Sequence, residues 1–422
     1  MTSPPCALAL TGGVAKGAFH AGVLKSMAEH EIVPTSIVGS SAGALNGGLC
    51  AKLIAEDRFT PYWVERMCCQ LWLQQASLQK LWGNGEITDN SLRSLLGETR
   101  LSIFMLRNLL DWLSPVRLRE LLQLRFTSIL SDRHFRQSLE QIVKAPEKIE
   151  REVHFAAAVT SLTGAVETYA NQSLISHGGY ISFHLRPGQD AETIAGVFDR
   201  MRTVMRASSS FPGVFPPVPL MHQGKIDWFT DGGLTKNAPF GRAIKLDPNV
   251  RTIFLVSCMP ITQPTSGRID NMMTIVDQVY KIILNKDLAN DFRKIQQINE
   301  KIEKLHRLMQ SDGSGQFMDN DFNRALIDVA GFKSLESFLN MRTVEIVIIE
   351  PTMDLEGDPF AGLYRTDRVQ LLERYIELGY EASQTAIGAY LAKRRQEARQ
   401  APEAEQANPS PDESSEALNA DE

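Results

Sequence analysis

The chain has 422 residues, 43% of them hydrophobic and 22% charged, which is an ordinary globular composition for one large domain or two smaller ones. The formal net charge of −6 is unevenly spread, because residues 396–422 contain eight acidic residues and a single basic one. That segment carries −7 and the rest of the chain +1. A nearly neutral body gives no argument for binding nucleic acid.

The C-terminal segment 396–422 also contains three prolines and almost no large apolar side chains. Such a segment cannot bury enough apolar surface to offset the entropy of ordering it. We therefore predict a folded domain over residues 5–395 followed by a disordered acidic tail.

The five cysteines are irregularly spaced, form no C-x-x-C pair and have no histidine cluster beside them in the sequence. We therefore expect neither a disulfide framework nor a zinc site, and a reducing, cytoplasmic location fits best. The first residues lack the basic and apolar regions of a signal peptide, and no stretch of about 20 apolar residues predicts a spanning helix. Any membrane contact would be peripheral.

The first 55 residues have the pattern of an α/β unit. Short apolar runs at 7–10 and 36–38 each end in a glycine-containing turn, and each is followed by a helical segment, at 18–27 and 42–54. This order predicts parallel strands joined by a right-handed crossover. Further buried strands are predicted at near-continuous apolar runs, residues 153–159, 253–257 and 344–349.

The predicted fold class is therefore α/β with a buried, mixed or mostly parallel sheet. Two helical regions look like additions to this core, at residues 72–130 and 270–340, and an amphipathic helix at 369–395 precedes the tail. The first addition carries more hydrophobic side chains than a solvent-facing loop needs. It fits either packing between helices, or a lid or bilayer-docking surface.

The first strand-to-helix turn is rich in glycine, with the sequence Gly12-Gly13-Val14-Ala15-Lys16-Gly17. Glycine lets the backbone approach a ligand closely and present its N–H groups to an anion. The turn lacks the Lys-Ser/Thr pair of a phosphate loop, and a dinucleotide fingerprint needs glycine at position 14. We interpret it as an oxyanion hole. The alternative is a tight turn without a ligand.

The second turn has a G-x-S-x-G pattern, with Gly39 and Gly43 on either side of Ser41. It lies between a predicted strand and a predicted helix, the context in which this pattern marks a nucleophile. Because both turns follow the carboxyl ends of adjacent parallel strands, they should share one crevice. We interpret Ser41 as a nucleophile. A chance match in a turn of small residues is the alternative.

A serine nucleophile needs a base, and none of the eight histidines has the strand-end context that α/β-hydrolases use near the end of the chain. Most of them, including His20, are expected at the solvated surface. The better candidate is Asp231, which follows an apolar run and precedes Gly232 and Gly233. A carboxylate at a strand end with glycines beyond it can reach into a crevice, although a plain turn is the alternative.

Taken in order, four motifs resemble the patatin-like phospholipase family. They are the glycine-rich turn with the helix behind it, the Ser41 pentapeptide, the segment 207–218, and the Asp231-Gly232-Gly233 motif with Asn237-Ala238-Pro239 after it. The resemblance covers roughly residues 5–260 and, more weakly, 344–392. It implies a three-layer α/β/α fold with a central mostly parallel sheet, a helical insertion and C-terminal helices.

The resemblance also implies a Ser–Asp dyad without a catalytic histidine. Ser41 would be the nucleophile, Asp231 its base, and the backbone N–H groups of the turn from Gly12 to Lys16 the oxyanion hole. The implied substrates are phospholipids or other acyl lipids, with no metal and no cofactor. At Val14, where the family usually has a third glycine, a positive φ would strain the β-branched residue, but we expect the turn to tolerate it.

The sequence thus predicts a lipid acyl hydrolase of the phospholipase A type. Two alternatives stay open: a hydrolase or acyltransferase for soluble acyl esters or thioesters, and a weakly active, lipid-binding regulatory protein.

Overall fold

The computed structural model describes residues 5–74, 133–169, 172–212, 215–222, 224–237, 239–262, 282, 288–309, 343–355 and 367–406. Most of the helical insertion predicted at 72–130 therefore lies outside the described residues, as does most of the addition predicted at 270–340.

An eight-stranded sheet forms the centre of the molecule. Its strands are β1 (Cys6–Leu10), β2 (Ser36–Gly39), β3 (Val153–Tyr169), β4 (Gln172–Leu185), β5 (Val218–His222), β6 (Lys225–Asp231), β7 (Thr252–Val256) and β8 (Glu345–Ile349). Along the sheet the order is β5-β6-β3-β2-β1-β7-β8, and β4 pairs with β3. Neighbouring strands in the series β3-β2-β1-β7-β8 pair in parallel. The pairings of β4 with β3, β6 with β3 and β5 with β6 are antiparallel.

The described helices begin with a 3₁₀ turn (Val14–Gly17) that leads directly into the first α-helix. They are α1 (Ala18–Glu29), α2 (Ala42–Ala55), α3 (Pro61–Val64), a π-helical turn (Glu65–Cys69), α4 (Gln70–Gln74), α5 (Arg133–Ile142), α6 (Ala191–Ser208), α7 (Gly233–Lys236), α8 (Phe240–Leu246), α9 (Leu288–Met309) and α10 (Arg368–Gln406). Within the described part of the chain, no helix has the length and apolarity needed to cross a bilayer.

The two faces of the sheet are covered by different helices. Because successive strand residues point to opposite faces, Leu8 and Ile37 pack with apolar residues of α1, α2, α6 and α10. Ala7 and Val38 point the other way and pack with residues of α8 and α9. The molecule is thus a three-layer α/β/α structure with a mostly parallel central sheet, and the predicted fold class is confirmed.

The last helix changes one expectation. α10 runs to Gln406, well into the segment 396–422 that the sequence predicts to be disordered. Lys393 and Arg394 form ion pairs with Glu397 one turn later, and alanine, glutamate, glutamine and arginine all favour the helix. Net charge and proline content do not register such local pairs, so they did not predict this helical extension, while the domain boundary at residue 395 stays a prediction. Residues 407–422 lie outside the described part.

Candidate active site

Ser41 lies at a sharp turn between β2 and α2. Its backbone angles are φ 52° and ψ −123°, a conformation that is strained for a residue with a side chain. The residue is 2% exposed, and its N–H donates to Ser208 Oγ at 3.1 Å. A Cβ on Gly39 would collide with the backbone of Gly43, and a Cβ on Gly43 would collide with the backbone of Leu10. The two glycines therefore allow the turn to fold back against β1.

Asp231 reaches Ser41 because two strands share one edge of β3. β2 pairs with residues 154–157 of β3, and β6 pairs with residues 159–161 farther along. β4 pairs with residues 153–160 along one edge of β3. β2 and β6 therefore pair one after the other along its opposite edge. Asp231, the last residue of β6, therefore lies beside the turn that follows β2. Ser41 Oγ donates a hydrogen bond to Asp231 Oδ2 at 2.6 Å.

The Asp231 carboxylate is almost fully enclosed, with 1% of the residue exposed. Burial raises its pKa from 3.8 to about 6, against the opposing effect of hydrogen bonds from Ser41 and from the N–H of Gly233. The Gly233 N–H donates to Oδ1 at 2.7 Å. Both carboxylate oxygens are therefore held, one by the serine hydroxyl and one by the backbone of the Asp-Gly-Gly motif.

The end of α6 connects the serine turn to the aspartate turn. Ser208 Oγ accepts from the Ser41 N–H, and the Ser208 carbonyl accepts from the N–H of Gly232 at 3.1 Å. The Ser210 carbonyl accepts from the Asp231 N–H at 3.0 Å and from Thr230 Oγ1 at 2.6 Å. The sequence singles out the segment 207–218 only as part of a resemblance. In the structure, Ser208 and Ser210 of this segment connect the two turns and so form a brace between them.

The glycine-rich turn adjoins the same two residues. The N–H of Gly12 donates to Asn237 Oδ1 at 2.7 Å, and the N–H of Lys16 donates to the Gly13 carbonyl at 2.9 Å. Two of the donors expected to form the oxyanion hole are thus already engaged. The N–H groups of Gly13, Val14 and Ala15 stand at the start of the 3₁₀ turn, where backbone donors lack an acceptor inside the helix.

The far end of this turn is fixed to α2. The Gly17 carbonyl accepts from Asn46 Nδ2 at 3.0 Å, and Asn46 Oδ1 accepts from Trp72 Nε1 at 3.1 Å. The Ser41 hydroxyl, the Asp231 carboxylate and the glycine-rich turn therefore lie side by side at the same end of the sheet. Within the described residues, no group of three metal-ligating side chains gathers around this pair.

The sequence profile of the family described as patatin-like phospholipase matches residues 8–244, more than half of the chain. The chain belongs to the patatin-like phospholipase family. The match contains the glycine-rich turn, the serine turn, the α6 brace and the Asp-Gly-Gly motif described above.

Three individual proteins show more limited similarity to this family member. The triacylglycerol lipase SDP1L of Arabidopsis thaliana is 49% identical over 45 residues, which is 11% of this chain and 5% of that protein. VipD from Legionella pneumophila superposes with a TM-score of 0.33 at 13% identity, covering 92% of this chain and 67% of that one. The heterodimeric complex ExoU–SpcU from the type III secretion system of Pseudomonas aeruginosa superposes with a TM-score of 0.22 at 14% identity, covering 91% of this chain and 52% of that one.

Val14 has an unusual backbone conformation for a valine. Its φ is +49°, in the left-handed region that favours glycine. A β-branched residue is especially unfavourable there, so the turn stores strain of roughly 1–3 kcal/mol next to Ser41. The residues beside Val14 are held by Asn237 on one side and by the 3₁₀ turn on the other, and tolerance of valine stays a prediction.

Two residues near the site were missed or misplaced by sequence reasoning. His20 is not at the solvated surface: it is fully buried, its Nε2 lies 3.0 Å from Sγ of Cys258, and burial lowers its pKa to about 3. Asn237 belongs to the Asn-Ala-Pro motif, for which the sequence predicts no role, and its side chain accepts a hydrogen bond from the Gly12 N–H. Neither contact is visible in the sequence, because each joins residues more than 200 positions apart.

Proposed function

We propose that this chain is a lipid acyl hydrolase of the phospholipase A type, which cleaves acyl esters through a Ser41–Asp231 dyad and an acyl-enzyme intermediate. The observation that carries the proposal is the 2.6 Å hydrogen bond from Ser41 Oγ to a buried carboxylate, in a member of the patatin-like phospholipase family.

In the proposed first step, Ser41 Oγ attacks the ester carbonyl carbon and its proton passes to Asp231 Oδ2. The N–H groups at the start of the glycine-rich turn donate hydrogen bonds to the oxyanion. These bonds become stronger as negative charge develops on the oxygen. The C–O bond then breaks, and the leaving alcohol or lysophospholipid takes the proton from Asp231. In the second step, water attacks the acyl-enzyme and gives its proton to Asp231. The acyl C–Oγ bond then breaks, Ser41 Oγ takes that proton, and the fatty acid leaves.

An ordinary aspartate is a weak base, and burial corrects this mismatch. Desolvation disfavours the charged carboxylate and raises the pKa of Asp231 to about 6. A base with a pKa close to neutral is still ionised at pH 7 and accepts a proton more readily than an exposed carboxylate.

The raised pKa predicts a specific pH dependence. Below about pH 6 the folded enzyme holds Asp231 protonated and loses its base, so kcat/KM should fall about tenfold per pH unit, and above that value it should level off. The measurement is kcat/KM for a short-chain soluble ester across this range. A profile that stays level down to about pH 4 would exclude a base with this pKa.

A group of exposed apolar side chains supports contact with a lipid surface. Met221 and Ile226 face each other across the β5–β6 hairpin and are 62% and 66% exposed, and Trp228 is 46% exposed on the same face of β6. Clusters of exposed apolar side chains mark interaction sites. Because β6 ends at Asp231, we propose that this hairpin face touches the lipid aggregate whose esters enter the site.

The hairpin gives a test that also separates lipid from soluble substrates. Changing Ile226 and Trp228 together to serine should lower turnover on phospholipid vesicles by about tenfold or more, because burying each such side chain contributes about 1.5–3 kcal/mol. Turnover of a short soluble ester should not change. Met353→Ser is the matched control, since Met353 is 72% exposed after β8 at the opposite edge of the sheet. Equal losses on both substrates would argue against lipid contact, and preference of the wild type for soluble esters would favour the alternative hydrolase.

We place this activity in a reducing, cytoplasmic setting with peripheral membrane contact. All five cysteines are free and buried, which agrees with that setting.

A further inference from the structure

The opposite end of the sheet carries a pair of histidines that the proposed reaction does not use. His154 on β3 and His184 on β4 are directly opposite each other in the antiparallel register. Their rings stack, with centroids 4.1 Å apart and planes inclined by 20°. Their position is far from the catalytic edge, because His154 pairs with Ser36 at the start of β2, whereas Ser41 follows the end of that strand.

Glu152, two residues before His154, turns one carboxylate oxygen toward both rings. Its Oε1 lies 2.5 Å from His184 Nε2 and 4.0 Å from His154 Nε2. The three ligand atoms all lie within 4.8 Å of one another. Glu152 is hydrogen-bonded to His184, and His154 stacks against His184, so two imidazole nitrogens and one carboxylate oxygen form a single cluster of possible metal ligands.

The separations match what a shared metal ion requires. In a tetrahedral zinc site with metal–ligand bonds of about 2.0–2.2 Å, neighbouring ligand atoms are roughly 3.4 Å apart. The distances from Glu152 Oε1 to the two histidine nitrogens, 2.5 Å and 4.0 Å, lie on either side of that value. Binding would replace the direct Glu152–His184 hydrogen bond and tilt the stacked rings so that both nitrogens face one ion, and the side chains have room for this because they are 24–59% exposed.

We propose that Glu152, His154 and His184 bind a divalent transition-metal ion, with Zn²⁺ as the favoured species. Two imidazoles and one carboxylate suit zinc and its neighbours, whereas Mg²⁺ and Ca²⁺ take oxygen ligands. Three protein ligands leave the fourth position to water. The carboxylate of Asp247 acts electrostatically on His154 and adds to the negative potential that favours a cation.

The proposed role of this ion is structural. Among the described strands β4 pairs with β3 alone, so the ion would join the end of β4 to the start of β3 and to the segment before it. Anything that binds only the folded chain raises its stability by mass action. The site therefore predicts metal-dependent stability without metal-dependent catalysis.

The test is calorimetric titration of Zn²⁺ into the chelator-treated, full-length protein. We expect one Zn²⁺ per chain for the wild type, with affinity weakened by at least about tenfold in Glu152→Gln, His154→Gln and His184→Gln, since even outer ligand partners contribute that much. His30→Gln is the matched control, because His30 bonds to Gln384 outside the cluster and should bind Zn²⁺ like the wild type. Co²⁺ should give visible d–d absorption in the wild type and in His30→Gln, and this absorption should be lost in His184→Gln.

Thermal unfolding keeps the proposal falsifiable if a variant folds poorly. Zn²⁺ should raise the Tm of the wild type and of His30→Gln. The rate of ester hydrolysis of both proteins should be the same with and without Zn²⁺. The proposal is overturned if the wild type shows neither Zn²⁺ binding nor a Tm shift. It is equally overturned if His184→Gln, with a wild-type circular dichroism spectrum, binds Zn²⁺ as tightly as the control.

Discussion

Replacing Ser41 by alanine or Asp231 by asparagine is expected to lower kcat for ester hydrolysis by about 10⁴-fold or more. The first change removes the attacking oxygen, and the second removes the carboxylate that accepts its hydrogen bond at 2.6 Å. Residues that act as one unit give non-additive losses. The kcat of the double variant should therefore be no lower than that of the less active single variant. The measurements are kcat and KM on a short soluble ester and on phospholipid vesicles.

Labelling with a fluorophosphonate gives an independent readout of the same proposal. The wild type should be labelled at Ser41, Ser41→Ala should not be labelled, and Asp231→Asn should react much more slowly. Hydrolysis that survives in Ser41→Ala would refute the assignment of the nucleophile. An unlabelled wild type would favour the weakly active, lipid-binding alternative.

Stability measurements separate lost chemistry from lost folding. Because the folded state raises the pKa of Asp231 from 3.8 to about 6, the unfolded chain releases this proton at lower pH than the folded chain. The contribution of Asp231 to the stability of the wild type therefore falls as pH rises from about 4 to about 6, and stays lower above that range. Asparagine does not ionise and avoids this loss. Asp231→Asn should thus have a higher Tm than the wild type at about pH 8, with the difference shrinking toward pH 4.

The second large effect is expected for Gly12→Ala. A methyl group there would lie 2.6 Å from Asn237 Oδ1 and 3.0 Å from Ser41 Cβ. The Gly12–Asn237 hydrogen bond would have to give way, and the donors that follow Gly12 would move away from the position of the oxyanion. Loss of one such donor typically lowers kcat by about 10²–10³. We therefore expect a loss of this size in kcat, with a smaller change in KM.

Gly196→Ala is the matched control, because nothing lies within 4 Å of a Cβ at that position of α6. It should leave kcat unchanged and raise stability by up to about 1 kcal/mol, as glycine-to-alanine changes in exposed helix interiors do. Asn237→Ala should reproduce part of the Gly12→Ala defect, since it removes the other partner of the same hydrogen bond. Wild-type kcat in Gly12→Ala would show that the turn does not serve the reaction.

The sequence by itself determined the parts of this protein whose physics is local. A serine flanked by Gly39 and Gly43 at the end of an apolar run is readable as a sharp turn, because a side chain at either glycine would collide with backbone. The glycine-rich turn and the α/β element order were readable for similar reasons. The strain at Val14 followed from the resemblance only if its φ were positive, and the structure gives that φ as +49°.

Tertiary structure alone decided what depends on which strand lies beside which. Asp231 meets Ser41 only because β6 takes the edge of β3 where β2 ends, a pairing between residues about 70 positions apart. The same long-range packing buries His20 against Cys258, and the β3–β4 register aligns His154 with His184. Composition and spacing describe neighbours along the chain, whereas strand register and burial result from the collective packing of the whole sheet. Those contacts could therefore not be derived from the residues that make them.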